Sequence, residues 1–242
     1  MFAFISSRIG RATKKKYTSI LERLLMDCEK RAKAGGRLRV LDVGAGNCWL
    51  LSRLSSDYTR VGLDLSSGLH GIDDSWVDSE GARTLQFVYG DGRRLPFADD
   101  TLDFVYSNEF VSHVASIDET IAEQTRVLKS GGILVIMDAN ILDPITFADL
   151  FLVRYVRSLR SRTRQGGMQW LLHREETAKH FEVGHVMKGW RDENIHSRSW
   201  WRRRLRRHSE YVSFSVSTFC SYAPDLPINP FANKILIVGK KV

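Results

Sequence analysis

The sequence predicts an α/β fold: a doubly wound, mostly parallel sheet extended by a C-terminal antiparallel hairpin, with a helical basic insert as its cap. Three observations carry this reading. Short runs such as RVLDV and FVYSN alternate with helical patterns and are continuously apolar, as in strands covered on both faces. The first run ends in an acid and a glycine-rich turn, LDVGAGNC, from which the chain passes directly into a helical pattern. Near the C-terminus, YVSFSVSTF and KILIVGKK read as strands separated by a loop holding Pro224, Pro227 and Pro230.

Each element has a local reason. TSILERLLMDCEKRAKAGG places Ile20, Leu21, Leu24, Leu25 and Cys28 at helical spacing, with Thr18 or Ser19 as cap and Gly35-Gly36 as stop. The first strand spans Leu38 to Val43, and a helix from about Asn47 to Ser55 turns Leu50, Leu51 and Leu54 inward. Arg60 to Leu65 is the second strand. The glycine-interrupted stretch after it reads as a short helix and a loop. LQFVYGD forms a third strand ending at Asp91, and LDFVYSNE a fourth ending near Asn108. A helix from Ile117 to Leu128 is stopped by Gly131-Gly132 before the fifth strand, ILVIMD. From Ala139 the rhythm changes to a basic amphipathic helix over 147–160, a turn and a further helix, and the short basic run SWWRRRLRRHSE. The chain is expected to be one domain: an N-terminal helical arm (1–37), a core (38–138), an insert (139–209) and a strand pair (210–242).

Composition narrows the function. The 242 residues are 43% hydrophobic and 26% charged, which suits a globular protein with a real core. The three cysteines are widely spaced and odd in number, which argues against a disulfide framework or zinc site and fits a reducing compartment. No metal site is expected. MFAFISSRIGRATKKK carries its basic cluster after the apolar part, unlike a secretory signal. No apolar run approaches the ~20 residues that span a bilayer. The expected location is cytoplasmic, with peripheral membrane contact left open. The net charge of +8 is unevenly spread. Residues 1–39 hold 11 Lys/Arg against 3 Asp/Glu, residues 40–138 hold 7 against 16, and residues 139–242 hold 18 against 9. An acidic middle flanked by basic segments suits either plain solubility or an anionic acceptor, membrane or nucleic acid.

The order of elements, with acids at strand C-termini, resembles a class I S-adenosylmethionine-dependent methyltransferase of the small-molecule type, similar to the quinone and sterol methyltransferases. The likeness covers residues 38 to 138 and the terminal strand pair, and implies a Rossmann-like sheet. LDVGAGNC matches the family's first motif through Asp42, Gly44, Ala45 and Gly46, with Cys48 in place of the usual last glycine. Glycines let the backbone approach a ligand, and amides at a helix start favour a carboxylate such as that of the methionine part. Trp49 would obstruct the pyrophosphate of a dinucleotide, so the cofactor implied is S-adenosylmethionine. The resemblance assigns Asp64, with Leu65 beside it, to the ribose hydroxyls. It assigns Asp91 and Gly92, in YGDGRRLPFADDTLDFVYSN, to the adenine amine, and Asn108 to the same rim.

Methyl transfer needs alignment of acceptor and donor more than a dedicated catalytic group. An oxygen acceptor also benefits from a base. The candidates are His113 in SNEFVSHVASID and Glu109 at the strand end, with Asp138 as a third. The insert is expected to roof the site, its helix over 147–160 serving as a lid or an interfacial helix on anionic lipid. WWRRRLRR suits either membrane contact or a phosphate-binding surface. The acceptor implied is a small molecule or a lipid- or sugar-linked compound, methylated at oxygen. The alternatives are an RNA acceptor gripped by the basic arm and tail, and a non-catalytic membrane- or partner-docking module. The fourth strand ends in SNEF, not the Asn/Asp-Pro-Pro-aromatic signature of base-amine methylation, which weighs against RNA.

Overall fold

The computed structural model describes residues 2–31, 36–65, 85–140, 196–220 and 232–242, with side chains from residue 12 onward in the first span. The helix and loop expected after the second strand, the insert helices and the proline loop lie outside these residues. The described elements are α1 (Phe2–Glu29), β1 (Arg39–Val43), β2 (Thr59–Asp64), β3 (Leu85–Tyr89), β4 (Leu102–Asn108), α2 (Ile117–Arg126), β5 (Leu128–Ala139), α3 (Arg198–Leu205), β6 (Val212–Phe219) and β7 (Lys234–Lys241). They build one seven-stranded sheet of order β3-β2-β1-β4-β5-β7-β6. The pairs from β3 to β5 are parallel. β7 runs antiparallel to both β5 and β6, so the last strand slots between them.

The apolar runs explain the two-layered core. Along β1, β4 and β5 successive side chains alternate between faces. Leu41, Val43, Val105, Leu134 and Ile136 join α2 and α3 in one cluster. Val40, Phe104, Tyr106, Val135 and Met137 join Tyr17, Leu21 and Leu25 of α1 in the other. Both faces are covered, so both sets of strand positions are apolar.

Local chemistry corrects several sequence expectations. α1 begins at Phe2, well before the expected cap. Thr18 is mid-helix and its hydroxyl donates to Lys14 O, the i−4 bond open to a helical threonine. The helix expected over 47–55 is reduced to a 3-10 turn, Leu51–Arg53. Cys48 sits at φ +56, so no helix can pass through it. The carbonyl of Leu54 instead accepts from the buried Arg60 guanidinium at 2.8 Å. β5 starts at Leu128, five residues early, through a bulge: Leu102 opposes Leu128, but Phe104 opposes Ile133. The tryptophan pair of α3 takes part in packing. Trp201 is fully buried, and Trp200 stacks on His196 with centroids 3.4 Å apart. No helix among the described residues is long and apolar enough to cross a membrane.

α2 is capped by Ser116, which accepts from Glu119 N, and its far end holds a clasp. Arg126 donates to both carboxylate oxygens of Glu123 at 2.8 Å and to Asp99 at 2.6 Å. It also donates to the carbonyls of Leu95 and Phe97, at 3.0 and 2.9 Å. One guanidinium thus ties the loop before β4 to the helix after it. Charge-assisted hydrogen bonds contribute about 1.5–3 kcal/mol each where desolvated, and these share one half-exposed side chain. Arg126→Met is therefore expected to lower unfolding free energy by about 2 kcal/mol. In urea this reads as a lower midpoint with unchanged slope, whereas Arg203→Met, on the exposed face of α3, leaves the midpoint in place.

Candidate cofactor site

The site begins where β1 runs out. Gly44 (φ +77) and Gly46 (φ +51) bend the chain through the left-handed region that glycine tolerates. Gly44 N and Ala45 N both donate to Leu63 O, at 2.8 and 3.0 Å, and Gly46 N donates to the Asp64 carboxylate at 2.9 Å. The turn is thus tied to the end of β2. Cys48 is fully buried, and a Cβ at Gly62 would lie 2.8 Å from its sulfur. The missing third glycine is therefore matched by one on β2. Burial, with Asp42 and Asp64 adding to it, pushes the Cys48 thiol up to about 12, so it is no nucleophile.

A cavity of about 460 Å³ lies at the carboxyl edge of the sheet, within the ~300–1,000 Å³ usual for small-ligand sites. Gly44, Asp64, Leu65, Asp91, Gly92, Glu109 and His113 line it, seven of the residues singled out from sequence. Leu65 is 75% exposed, an apolar surface presented beside the Asp64 carboxylate. Asp91 accepts from Arg93 N, Nε and Nη2, the last at 2.7 Å, and these bonds hold its carboxyl below the usual range.

Four expected contacts are not brought to the cavity wall: Asp42, Ala45, Gly46 and Asn108. Asp42 is 3% exposed and accepts from the Tyr106 hydroxyl at 2.8 Å, so it supports the turn from the interior. Ala45 is buried, and Gly46 acts through its amide on Asp64. Asn108 Oδ1 is buried with no hydrogen-bond partner among the described residues.

Of the three base candidates, His113 faces the cavity and its ring makes no hydrogen bond among the described residues. Glu109 is held. Its Oε1 accepts from Tyr17 of α1 at 3.0 Å and from Lys234 of β7 at 2.5 Å, on a backbone at φ +53. Burial pushes its carboxyl up, but Lys234, the Tyr17 hydroxyl and His113 outweigh it, so it sits below the usual range. Asp138 is buried and closed off by the amides of Ser112 and Ala139, at 2.8 and 2.7 Å.

Sequence reasoning missed Phe110, Arg93, Tyr17 and Lys234. Phe110 is seated against both glycine turns: a Cβ at Gly44 would lie 2.3 Å from its ring and one at Gly92 2.6 Å. These glycines are therefore needed for contact as well as for conformation. S-adenosylmethionine fits the set: a turn without side-chain bulk, an acid at the end of β2 beside exposed Leu65, and an open cavity flanked by His113.

Burial pushes the Asp42 carboxyl up to about 7, with Asp64 adding to the rise and the Tyr106 hydrogen bond opposing it. An acid raised on folding binds its proton more tightly in the native state. Its stabilising contribution is complete below about pH 4 and is lost as pH climbs through about 7. Asp42→Asn, which keeps an oxygen for Tyr106, should gain stability relative to the parent as pH rises over that window. The gain, bounded by about 4 kcal/mol, is read from urea midpoints at pH 4 and pH 8.

Residues 41–136 match a family model described as a methyltransferase domain. A demethylmenaquinone methyltransferase of Bacillus pumilus is 29% identical over 163 residues, covering 65% of this chain and 67% of that protein. A malonyl-acyl-carrier-protein O-methyltransferase of Erwinia pyrifoliae is 32% identical over 135 residues, covering 53% and 48%. Across the curated relatives the match spans from 26% to 67% of their length, and in most of them less than half. An S-adenosylmethionine-dependent methyltransferase of Thermotoga maritima shares the fold, with a TM-score of 0.56 at 16% identity over 97% of this chain and 91% of that one. Residues 41–136 thus match a methyltransferase domain in sequence, and the chain shares the fold of a methyltransferase of known structure.

Proposed function

We propose that this protein transfers a methyl group from S-adenosylmethionine to an oxygen of a small-molecule or lipid- or sugar-linked acceptor. The observation that carries it is a single cavity whose wall runs from the Gly44 turn and Asp64 to Glu109 and His113. The cofactor, when bound, supplies a methyl already activated on sulfur. The chain's part is to hold and align. Gly44 admits the amino-acid end without a Cβ in the way, and Asp64 accepts from the ribose hydroxyls while Leu65 packs on the adenine. Asp91 and Gly92 receive the adenine amine. His113 Nδ1 or Nε2 accepts the proton of the acceptor hydroxyl as the new bond forms. Glu109, fixed by Tyr17 and Lys234, is a held anion that orients the His113 side of the cavity. The Erwinia relative is named for methyl transfer to oxygen, which supports an oxygen acceptor here.

Two outcomes are expected. Asp64→Ala weakens S-adenosylmethionine binding about 10- to 100-fold in isothermal titration, the loss of one or two charge-assisted hydrogen bonds; an unchanged affinity would sink the assignment. His113→Gln leaves that affinity within threefold but lowers kcat about 10²-fold or more with a hydroxyl acceptor. If kcat is unaffected, His113 is not the base.

A further inference from the structure

A second cavity, also of about 460 Å³, opens at the opposite, amino edge of the sheet, where α1 ends, β1 begins and β4 meets β5. Cys28, Arg31, Arg37, Asp103, Lys129 and Gly131 are among its lining residues. β1, five residues long, separates this edge from the cofactor edge by about 15 Å.

The charges here do not cancel. Asp103 is the one acid among the described lining residues, and both its oxygens are engaged: Oδ1 accepts from Lys129 Nζ at 2.6 Å and Oδ2 from Arg39 N at 2.9 Å. Arg31 and Arg37 are exposed, and neither side chain makes a hydrogen bond or ion pair among the described residues. Cys28 contributes a buried neutral thiol that donates to Asp103 O at 3.4 Å.

The backbone adds a second, independent feature. Lys129 to Gly132 bulge as four residues against Asp103 alone, with Gly131 at φ +81. A Cβ at Gly131 would meet nothing within 4 Å, so glycine is there for the bend and not for room. A left-handed residue set into a turn is the backbone feature from which anion-binding concavities are made. Two free guanidinium forks match phosphate oxygens bidentately. The space exceeds what an inorganic phosphate fills, and Leu38 and Cys28 provide apolar wall for an organic body.

We propose that this amino-edge cavity binds a phosphate monoester, gripped by Arg31 and Arg37 over the Lys129–Gly132 bulge. The site does not depend on the cofactor cavity. Isothermal titration of the whole protein with inorganic phosphate, with glycerol 3-phosphate and with phosphatidic-acid vesicles tests it. Glycerol 3-phosphate is expected to bind more tightly than inorganic phosphate, and an Arg31→Ala/Arg37→Ala variant to raise its Kd at least tenfold. Both side chains are exposed, so the variant keeps its fold. Arg202→Ala/Arg203→Ala, with the same loss of charge elsewhere, should leave binding unchanged, as should Asp64→Ala. Vesicle binding without glycerol 3-phosphate binding, lost in the Arg31/Arg37 variant, would keep the site and assign its phosphate to a lipid headgroup. Binding that survives the Arg31/Arg37 change, that falls equally in the Arg202/Arg203 variant, or that is absent for all three probes overturns the proposal.

Discussion

The turn after β1 is held by strand β2, and the rest of the site follows from that. Leu63 O accepts two of its amides and the Asp64 carboxylate a third. Backbone bonds of this kind are made at fixed geometry and desolvated on one side, so the turn is set before any ligand arrives. The sulfur of Cys48, against Gly62, packs the same junction from the interior. A helix is not needed to position the turn, and its shortening to three residues costs the site little. The turn is a loop braced from both sides, which is a more local device than a helix N-terminus.

The acids of the cofactor edge share a second property: each is already engaged. Asp64 holds Gly46 N, Asp91 holds Arg93, and Glu109 holds Tyr17 and Lys234. Three carboxylates around one cavity would repel if left bare, and their partners fix each of them in place. A ligand with hydroxyl or amine donors can add to the remaining lone pairs of such a carboxylate without first stripping it of water. Of the three base candidates, Glu109 and Asp138 are engaged, whereas the His113 ring makes no hydrogen bond among the described residues. The clasp on Glu109 also has a reach the acid alone lacks. It joins residue 17 to residue 234 across the sheet, so the first helix and the last strand both bear on the cavity wall.

The sequence made strands and acids legible because both obey short-range rules. Apolar runs of five to seven residues announced β1, β2, β4 and β5, and each ligand-side acid fell at or next to a strand end. What stayed hidden depends on conformation, not composition. Nothing in GNCWL signals that Cys48 adopts φ +56, nor in SNEF that Glu109 adopts φ +53. The partners of Glu109 lie 92 and 125 residues away along the chain, beyond the span of any local pattern. The motif places Asp42 beside the ligand, and alternation along β1 turns its side chain to the interior, where Tyr106 meets it. The start of α1 was missed for a different reason. Thr18 and Ser19 are good caps in isolation, but the preceding segment carries no proline and is rich in lysine, arginine and alanine, so the helix runs on through them.

The blocks of charge along the chain acquire a meaning once the strands have direction. Acids of the middle segment that end strands must collect at the carboxyl edge, since β1 to β5 run the same way. Those that begin strands lie at the amino edge, and there each has its own cation: Asp99 with Arg126, Asp100 with Lys241 and Asp103 with Lys129, at 2.6, 2.8 and 2.6 Å. The basic arm has to enter the sheet at that same amino edge, because α1 feeds β1. Arg31 and Arg37, late in that arm, therefore arrive where the acids are already neutralised, and they remain as excess positive charge. Parallel topology thus sorts one uneven sequence into two edges of different character. Engaged carboxylates line one, and the exposed guanidinium groups of Arg31 and Arg37 lie at the other.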